Sequence, residues 1–129
     1  MKNGMLDGIN TLTGDQGNVT VLDSCIQNSG GDFDVVIDDG GHTNCQIWTT
    51  FLKLWPTVKP GGLYFIEDMH VAKYPEYNKG SSPLCDQGTI VLPDKMKGVV
   101  DQLIYDMKRQ GDIKFIFCQS EACVLGKRD

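Results

Sequence analysis

The sequence predicts an α/β domain built on a parallel sheet, and three features predict it. Phe33-Asp34-Val35-Val36-Ile37 is a compact apolar run rich in β-branched residues and without polar alternation, the pattern of a strand buried on both faces. Leu63-Tyr64-Phe65-Ile66 is a second such run. Between them Cys45, Trp48, Phe51, Leu52 and Trp55 recur at three- and four-residue spacing, which gives a helix one apolar face. Strand, helix and strand with short connections form a right-handed parallel unit.

The other elements follow in chain order. Residues 1–17 are weakly patterned and expected to be loosely anchored; Ile9 to Thr13 reads as one short strand, broken by Gly14-Asp15-Gln16-Gly17. Asn18 caps a helix running to about Asn28, with Val19, Leu22 and Ile26 at helical spacing. Ser29-Gly30-Gly31-Asp32 ends it and turns the chain into the first apolar strand. The second helix starts near His42 or Thr43, and Pro56 with Lys59-Pro60-Gly61-Gly62 stops it and makes a turn. Residues 69–93 form a long irregular loop in which Tyr74-Pro75-Glu76-Tyr77 could close over a ligand. Asp94 caps a helix to about Gln110, with Met96, Val99, Val100, Leu103, Ile104 and Met107 facing inward. Ile113 to Cys118 and Ala122 to Leu125 then form a hairpin around Gln119-Ser120-Glu121.

The chain of 129 residues suffices for one modest domain, expected over 1–129. A net charge of −5 argues against nucleic acid or an anionic membrane as partner, since both call for clustered Lys and Arg. It suits a site that collects a cation. No apolar run approaches the roughly 20 residues that span a bilayer, and Met1 to Asp7 lacks a signal-peptide core, so the expected location is cytoplasmic. The five cysteines (Cys25, Cys45, Cys85, Cys118, Cys123) include no CxxC pair and read as reduced, partly buried thiols.

Chemistry concentrates where the two apolar strands end. Asp38-Asp39-Gly40-Gly41-His42 follows the first, and Glu67-Asp68-Met69-His70 follows the second. In an open parallel sheet ligands sit beyond the carboxyl ends of the strands. Four carboxylates at one edge repel one another, and a divalent cation relieves this. Oxygen donors select a hard ion, magnesium ahead of manganese or calcium. His42, at the helix entrance, can take a proton from a substrate hydroxyl. His70 either joins the site or marks the start of the loop. Gly40-Gly41 lets backbone approach a ligand closely, and Asp15-Gln16 offers groups able to hydrogen-bond a nucleobase.

These runs, together with Leu54-Trp55-Pro56, Val58-Lys59-Pro60-Gly61-Gly62 and Tyr74-Pro75-Glu76-Tyr77, resemble the metal-dependent O-methyltransferases that act on sugar hydroxyls of macrolide antibiotics, the mycinamicin type. Those are class I enzymes that use S-adenosylmethionine. The resemblance extends from about Gly14 to Lys127. It implies Mg²⁺ on Asp39, Glu67 and Asp68, with Mn²⁺ as substitute, and His42 as general base. It puts Asp15, Gln16 and Asp38 on the cofactor side; Gly40 is expected there too, from the close approach its backbone allows. Gly41 stands where a serine is common. The family's sheet order is 3-2-1-4-5-7-6. The glycine-rich loop after the first strand has no counterpart here, nor does the acid that holds the ribose. The expected fold is therefore a partial Rossmann-like class I methyltransferase fold: strands 4-5-7-6 with a carboxyl-terminal hairpin, the first strands missing and Ile9 to Thr13 as strand 3. The strand at 33–37 would then be an exposed edge, open to pairing with a second copy or another chain. The implied substrate is a small hydroxylated molecule. A truncated, non-catalytic remnant that keeps the metal site is the alternative.

Overall fold

The protein is described here from a computed structural model covering residues 10–69, 74, 105 and 111–129. His70, Cys85, most of the 69–93 loop and the helix expected over 94–110 lie outside the described residues, apart from Met69, an exposed Tyr74 and a helical Tyr105. Among the described residues, two helices, a short 3₁₀ turn and four strands are complete, in the order α1 (Val19–Ser29), β1 (Phe33–Asp38), α2 (Asn44–Leu54), Trp55–Thr57, β2 (Val58–Ile66), β3 (Ile113–Cys118) and β4 (Cys123–Lys127).

The sheet order is β1-β2-β4-β3. β1 and β2 are parallel, and β4 runs antiparallel to both β2 and β3. This is the arrangement expected for strands 4-5-7-6, with β1 at the edge. Residues 10–13 form no strand, contrary to the reading of Ile9 to Thr13, and they pair with none of the four described strands.

Local chemistry sets the helix ends. The Asn18 side chain accepts from the Thr20 amide, and Gly30 closes α1 in the left-handed region at φ 82°. Thr43 caps α2 by accepting from the Gln46 amide and donates in turn to Gln46 Oε1 at 3.0 Å. The Thr-x-x-Gln spacing is that of a capping box, with the Gln46 side chain meeting the Thr43 hydroxyl.

α2 lies on the sheet face that presents Val36, Tyr64, Ile66 and Leu125. Its buried residues are Cys45, Ile47, Trp48, Thr49, Thr50 and Phe51; Leu52, expected on the apolar face, is exposed. Phe51 stacks on Trp48 and Trp55 and meets Tyr64 edge-on. α1 packs beside α2, where Lys53 Nζ lies 2.8 Å from Asp23 Oδ1. Lys127 Nζ donates to the carbonyls of Trp55, Pro56 and Val58, tying β4 to the end of α2.

Three expectations are corrected. β1 is not buried on both faces: its burial alternates, with Val35 48% and Ile37 62% exposed. Among the described residues helices cover one face, and on the other face Val35, Leu63 and Phe115, then Ile37, Phe65, Val124 and Phe117, line up in two apolar rows across the sheet. Lys59-Pro60-Gly61-Gly62 does not separate α2 from a later strand but lies within β2. It bulges out of the ladder, because Phe33 pairs with Val58 and Val35 next pairs with Leu63. Gly62 is required there, since a Cβ would stand 2.9 Å from the Asp34 carbonyl oxygen. The cysteines are not all reduced. Cys118 and Cys123 face each other across the β3–β4 hairpin, Cα to Cα 4.0 Å, and are bonded; Cys45 is also disulfide-bonded, and Cys25 is free.

Candidate metal and proton-transfer site

β1 and β2 end side by side, and the Glu67 amide donates to the Asp38 carbonyl at 2.9 Å, which carries their ladder one step further. Asp39 and Asp68 therefore leave the same sheet edge. Asp68 has φ 54°, a left-handed conformation that aspartate tolerates better than most residues. The Met69 amide then donates to the Glu121 carbonyl at 2.9 Å, so the hairpin turn at 119–122 holds the far end of this segment.

The result is a cluster at the sheet edge. Asp39, His42 and Asp68 each offer a ligand atom, all within 4.8 Å of one another. His42 Nε2 is 3.2 Å from Asp68 Oδ2. Asp39 is exposed, His42 and Asp68 half-buried. Glu67 is exposed and stands outside this group, and His70 lies outside the described residues. Two carboxylates and an imidazole converging at a strand edge are a donor set that fits a divalent cation.

Asp38 has a different role from Asp39. Its side chain points into the covered face and is 6% exposed. Burial pushes its carboxyl up to about 6, against the lowering effects of hydrogen bonds from Gln16, Tyr64 and the Gly40 amide and of the nearby His42. Gln16 Nε2 donates to Asp38 Oδ1, and the Tyr64 hydroxyl lies 3.5 Å from Oδ2. Burial, and then the Asp38 charge, pushes the Tyr64 phenol up, so Tyr64 stays a neutral donor.

Gln16 also accepts from the Gly41 amide at 2.6 Å. A Cβ on Gly40 would stand 1.8 Å from Gln16 Oε1, and one on Gly41 would stand 2.4 Å from the Gln46 side chain. The glycine pair thus makes room for two glutamine side chains. Asp15 turns back on its own segment: Oδ1 accepts from the Gly17 amide at 2.8 Å and its carbonyl from the Asn18 amide at 2.9 Å.

Sequence reasoning missed Tyr64, Gln46 and the Glu121 carbonyl. Tyr64 shares a sheet face with Ile66, which pairs with Asp38, so strand periodicity and parallel register could have found it. The Thr-x-x-Gln spacing signals Gln46. The Glu121 contact carries no local signal.

No family model matches the chain. It is 41% identical over 95 residues to the mycinamicin VI 2''-O-methyltransferase of Micromonospora griseorubida, an alignment covering 74% of this chain and 23% of that protein. It is 39% identical over 95 residues to the demethylmacrocin O-methyltransferase of Streptomyces fradiae, with the same coverages. The crystal structure of MycE methyltransferase from the mycinamycin pathway, in complex with Mg, SAH and mycinamycin VI, superposes with a TM-score of 0.70 at 32% identity. That match covers 91% of this chain and 31% of MycE. The chain therefore spans about a quarter of the length of these relatives, and over that span it is a homologue of the macrolide sugar O-methyltransferases with the corresponding part of their fold.

Proposed function

We propose that this chain is the metal-binding and proton-transfer part of an S-adenosylmethionine-dependent, Mg²⁺-dependent O-methyltransferase acting on a hydroxyl of a sugar or other small molecule. The observation that carries the reading is the convergence of Asp39, His42 and Asp68 at the carboxyl edge of parallel strands in a homologue of sugar O-methyltransferases. Asp39 and Asp68 hold the metal, with Glu67 as a third ligand by resemblance. Mg²⁺ held there would supply Lewis acidity to the acceptor hydroxyl, and S-adenosylmethionine would supply the methyl group. His42 Nε2 stands 3.2 Å from Asp68 Oδ2; with its proton on that nitrogen, Nδ1 would keep the lone pair that takes the hydroxyl proton. Asp15, Gln16, Asp38 and Gly40 form the cofactor side.

We read 1–129 as one partial methyltransferase-like domain, and the exposed strand at 33–37 as the edge along which the rest of such a sheet, or a second copy, pairs. The setting is cytoplasmic, with neither nucleic acid nor membrane as partner, in keeping with the net charge of −5. The Cys118–Cys123 bond and the disulfide-bonded Cys45 are at odds with a reducing compartment. No helix among the described residues is long and apolar enough to cross a membrane. The second reading, a non-catalytic remnant or interaction module, draws on the exposed Val35 and Ile37 of the edge strand.

Titration calorimetry and thermal melts with Mg²⁺ and S-adenosylmethionine test this. Mg²⁺ at a hundred times its Kd stabilises the fold by about 2.7 kcal/mol, and Asp39→Ala abolishes that gain. A melting shift that survives Asp39→Ala puts the metal elsewhere. If S-adenosylmethionine fails to bind both to this chain and to its mixture with the amino-terminal half of such a methyltransferase, the enzyme reading falls and the remnant stands.

A further inference from the structure

We infer that Gln16 is a positioning residue for the metal-binding loop: its side-chain amide spans Asp38 and the Gly41 backbone and so sets where Asp39 and His42 stand. The inference rests on the metal reading above, and it goes beyond a cofactor-side role for this residue.

The support starts in the backbone. Gln16 sits in a turn closed on both sides, by the Gly17 amide on Asp15 Oδ1 and by the Asn18 amide on the Asp15 carbonyl. Asn18 in turn caps α1. The Gln16 side chain therefore projects from an anchored base and does not search many conformations.

Its amide is used from both ends. Nε2 donates to the Asp38 carboxylate, 22 residues away, and Oε1 accepts from the Gly41 amide at 2.6 Å, 25 residues away. The polarity is dictated: a flipped amide would set N–H against N–H and oxygen against carboxylate. Between the two anchor points lie only Asp39 and Gly40. The clamp thus closes over the residue assigned to the metal, and the residue after Gly41 is His42. Gly40 is its steric counterpart, because a Cβ there would overlap Gln16 Oε1. Beyond Asp38 the β1–β2 ladder has ended, so the loop needs such an anchor to hold ligand geometry. Partners of this kind behind metal ligands are worth about 10- to 100-fold in metal affinity.

The test uses the full chain, with Mg²⁺ affinity measured by calorimetry in the absence of S-adenosylmethionine. Gln16→Met keeps length and removes both bonds; it should weaken Mg²⁺ binding about 10- to 100-fold. Gly40→Ala, which displaces the amide while leaving Gln16 in place, should give a similar loss. The double variant should add little to either, since both act on one clamp. Metal-free amide exchange by NMR should show Gly41 protected in the parent chain and unprotected in both variants, a readout independent of metal and usable should one variant melt early. Mg²⁺ affinity within threefold of the parent in Gln16→Met overturns the inference, as do additive losses in the double variant. A variant that loses only S-adenosylmethionine binding does the same, in favour of a purely adenine-facing role. If the parent chain binds no Mg²⁺, the metal reading itself fails. The clamp is then judged on Gly41 alone: protection lost with Gln16→Met sustains it, and an unprotected Gly41 in the parent sinks it.

Discussion

Burying Asp38 makes the metal-free protein less stable as pH rises, and Asp38→Asn should remove that dependence. The folded carboxyl titrates at about 6 against an ordinary value of 3.8, chiefly because burial withdraws its charge from water. A group whose folded pKa is raised contributes most to stability below its unfolded pKa and loses that contribution as pH climbs through the folded one. The window is therefore pH 3.8 to about 6. At about 1.36 kcal/mol for each pH unit the ionised side chain costs the fold about 3 kcal/mol above that window, a large share of the 5–15 kcal/mol typical of a domain. Asparagine is nearly isosteric, still accepts from Gln16 and can donate to the Tyr64 oxygen. The assay is urea denaturation of both proteins from pH 3.5 to 8 in chelator. The difference between them cancels the other carboxylates, and it should shift in favour of Asp38→Asn by about 3 kcal/mol across the window. A difference that stays flat with pH would refute the reasoning and place Asp38 in a wetter setting than its 6% exposure indicates.

Two further outcomes concern the frame around the site. Lys127→Met removes the ammonium that satisfies three carbonyls at the end of α2 and lies 5.4 Å over the Trp55 ring; urea unfolding should show a loss of about 1.5–3 kcal/mol, and a loss below about 0.5 kcal/mol would mean that water replaces the lysine. The paired variant Cys118→Ser with Cys123→Ala opens the hairpin disulfide; closing a loop this short restricts the unfolded chain by about 2 kcal/mol, and an unchanged denaturation midpoint would show that the bond does not form in solution.

Much of this architecture was legible because its signals are local. Asn18 and Gly30 announce the ends of α1, and the apolar runs at 33–37 and 63–66 announce strands whatever their surroundings. The hairpin was legible too, since β3 begins and ends where its β-branched and aromatic run does. What was not legible depends on who neighbours whom. Val35 and Ile37 carry the composition of a fully buried strand, yet whether a second layer covers them is a property of the whole sheet. Lys59 to Gly62 looks like a turn in isolation and becomes a bulge only because Phe33 reaches back to pair with Val58. The spacing of Cys118 and Cys123 matched no ligand pattern; once the turn length is known, the hairpin register places them opposite each other. At the site, the acids and histidine stood out by type and position. Gln16 did not stand out as a clamp, because its partners are 22 and 25 residues away and only folding brings the turn before α1 against the end of β1.

The position of β1 gives these contacts their weight. A strand inside a sheet has its carboxyl-end loop steadied from two sides; among the described residues β1 has a ladder on one side only. On that side the Glu67 amide meets the Asp38 carbonyl, one residue before Asp39. Away from that ladder, what reaches the loop is the Gln16 amide, at Asp38 and Gly41. A strand's last paired residue and a side-chain clamp are unequal supports: the first is one rung of a cooperative ladder, the second two bonds worth about 1 kcal/mol each, more where a charge is involved. The loop is therefore held from the β2 side and by Gln16, while Gly40 itself is exposed. Any chain that pairs with the outer edge of β1 would reach the loop at Asp38, one residue from Asp39 and four from His42. On the proposed reading, a strand added beside β1 would therefore bear on the geometry of the cation site as well as on the sheet.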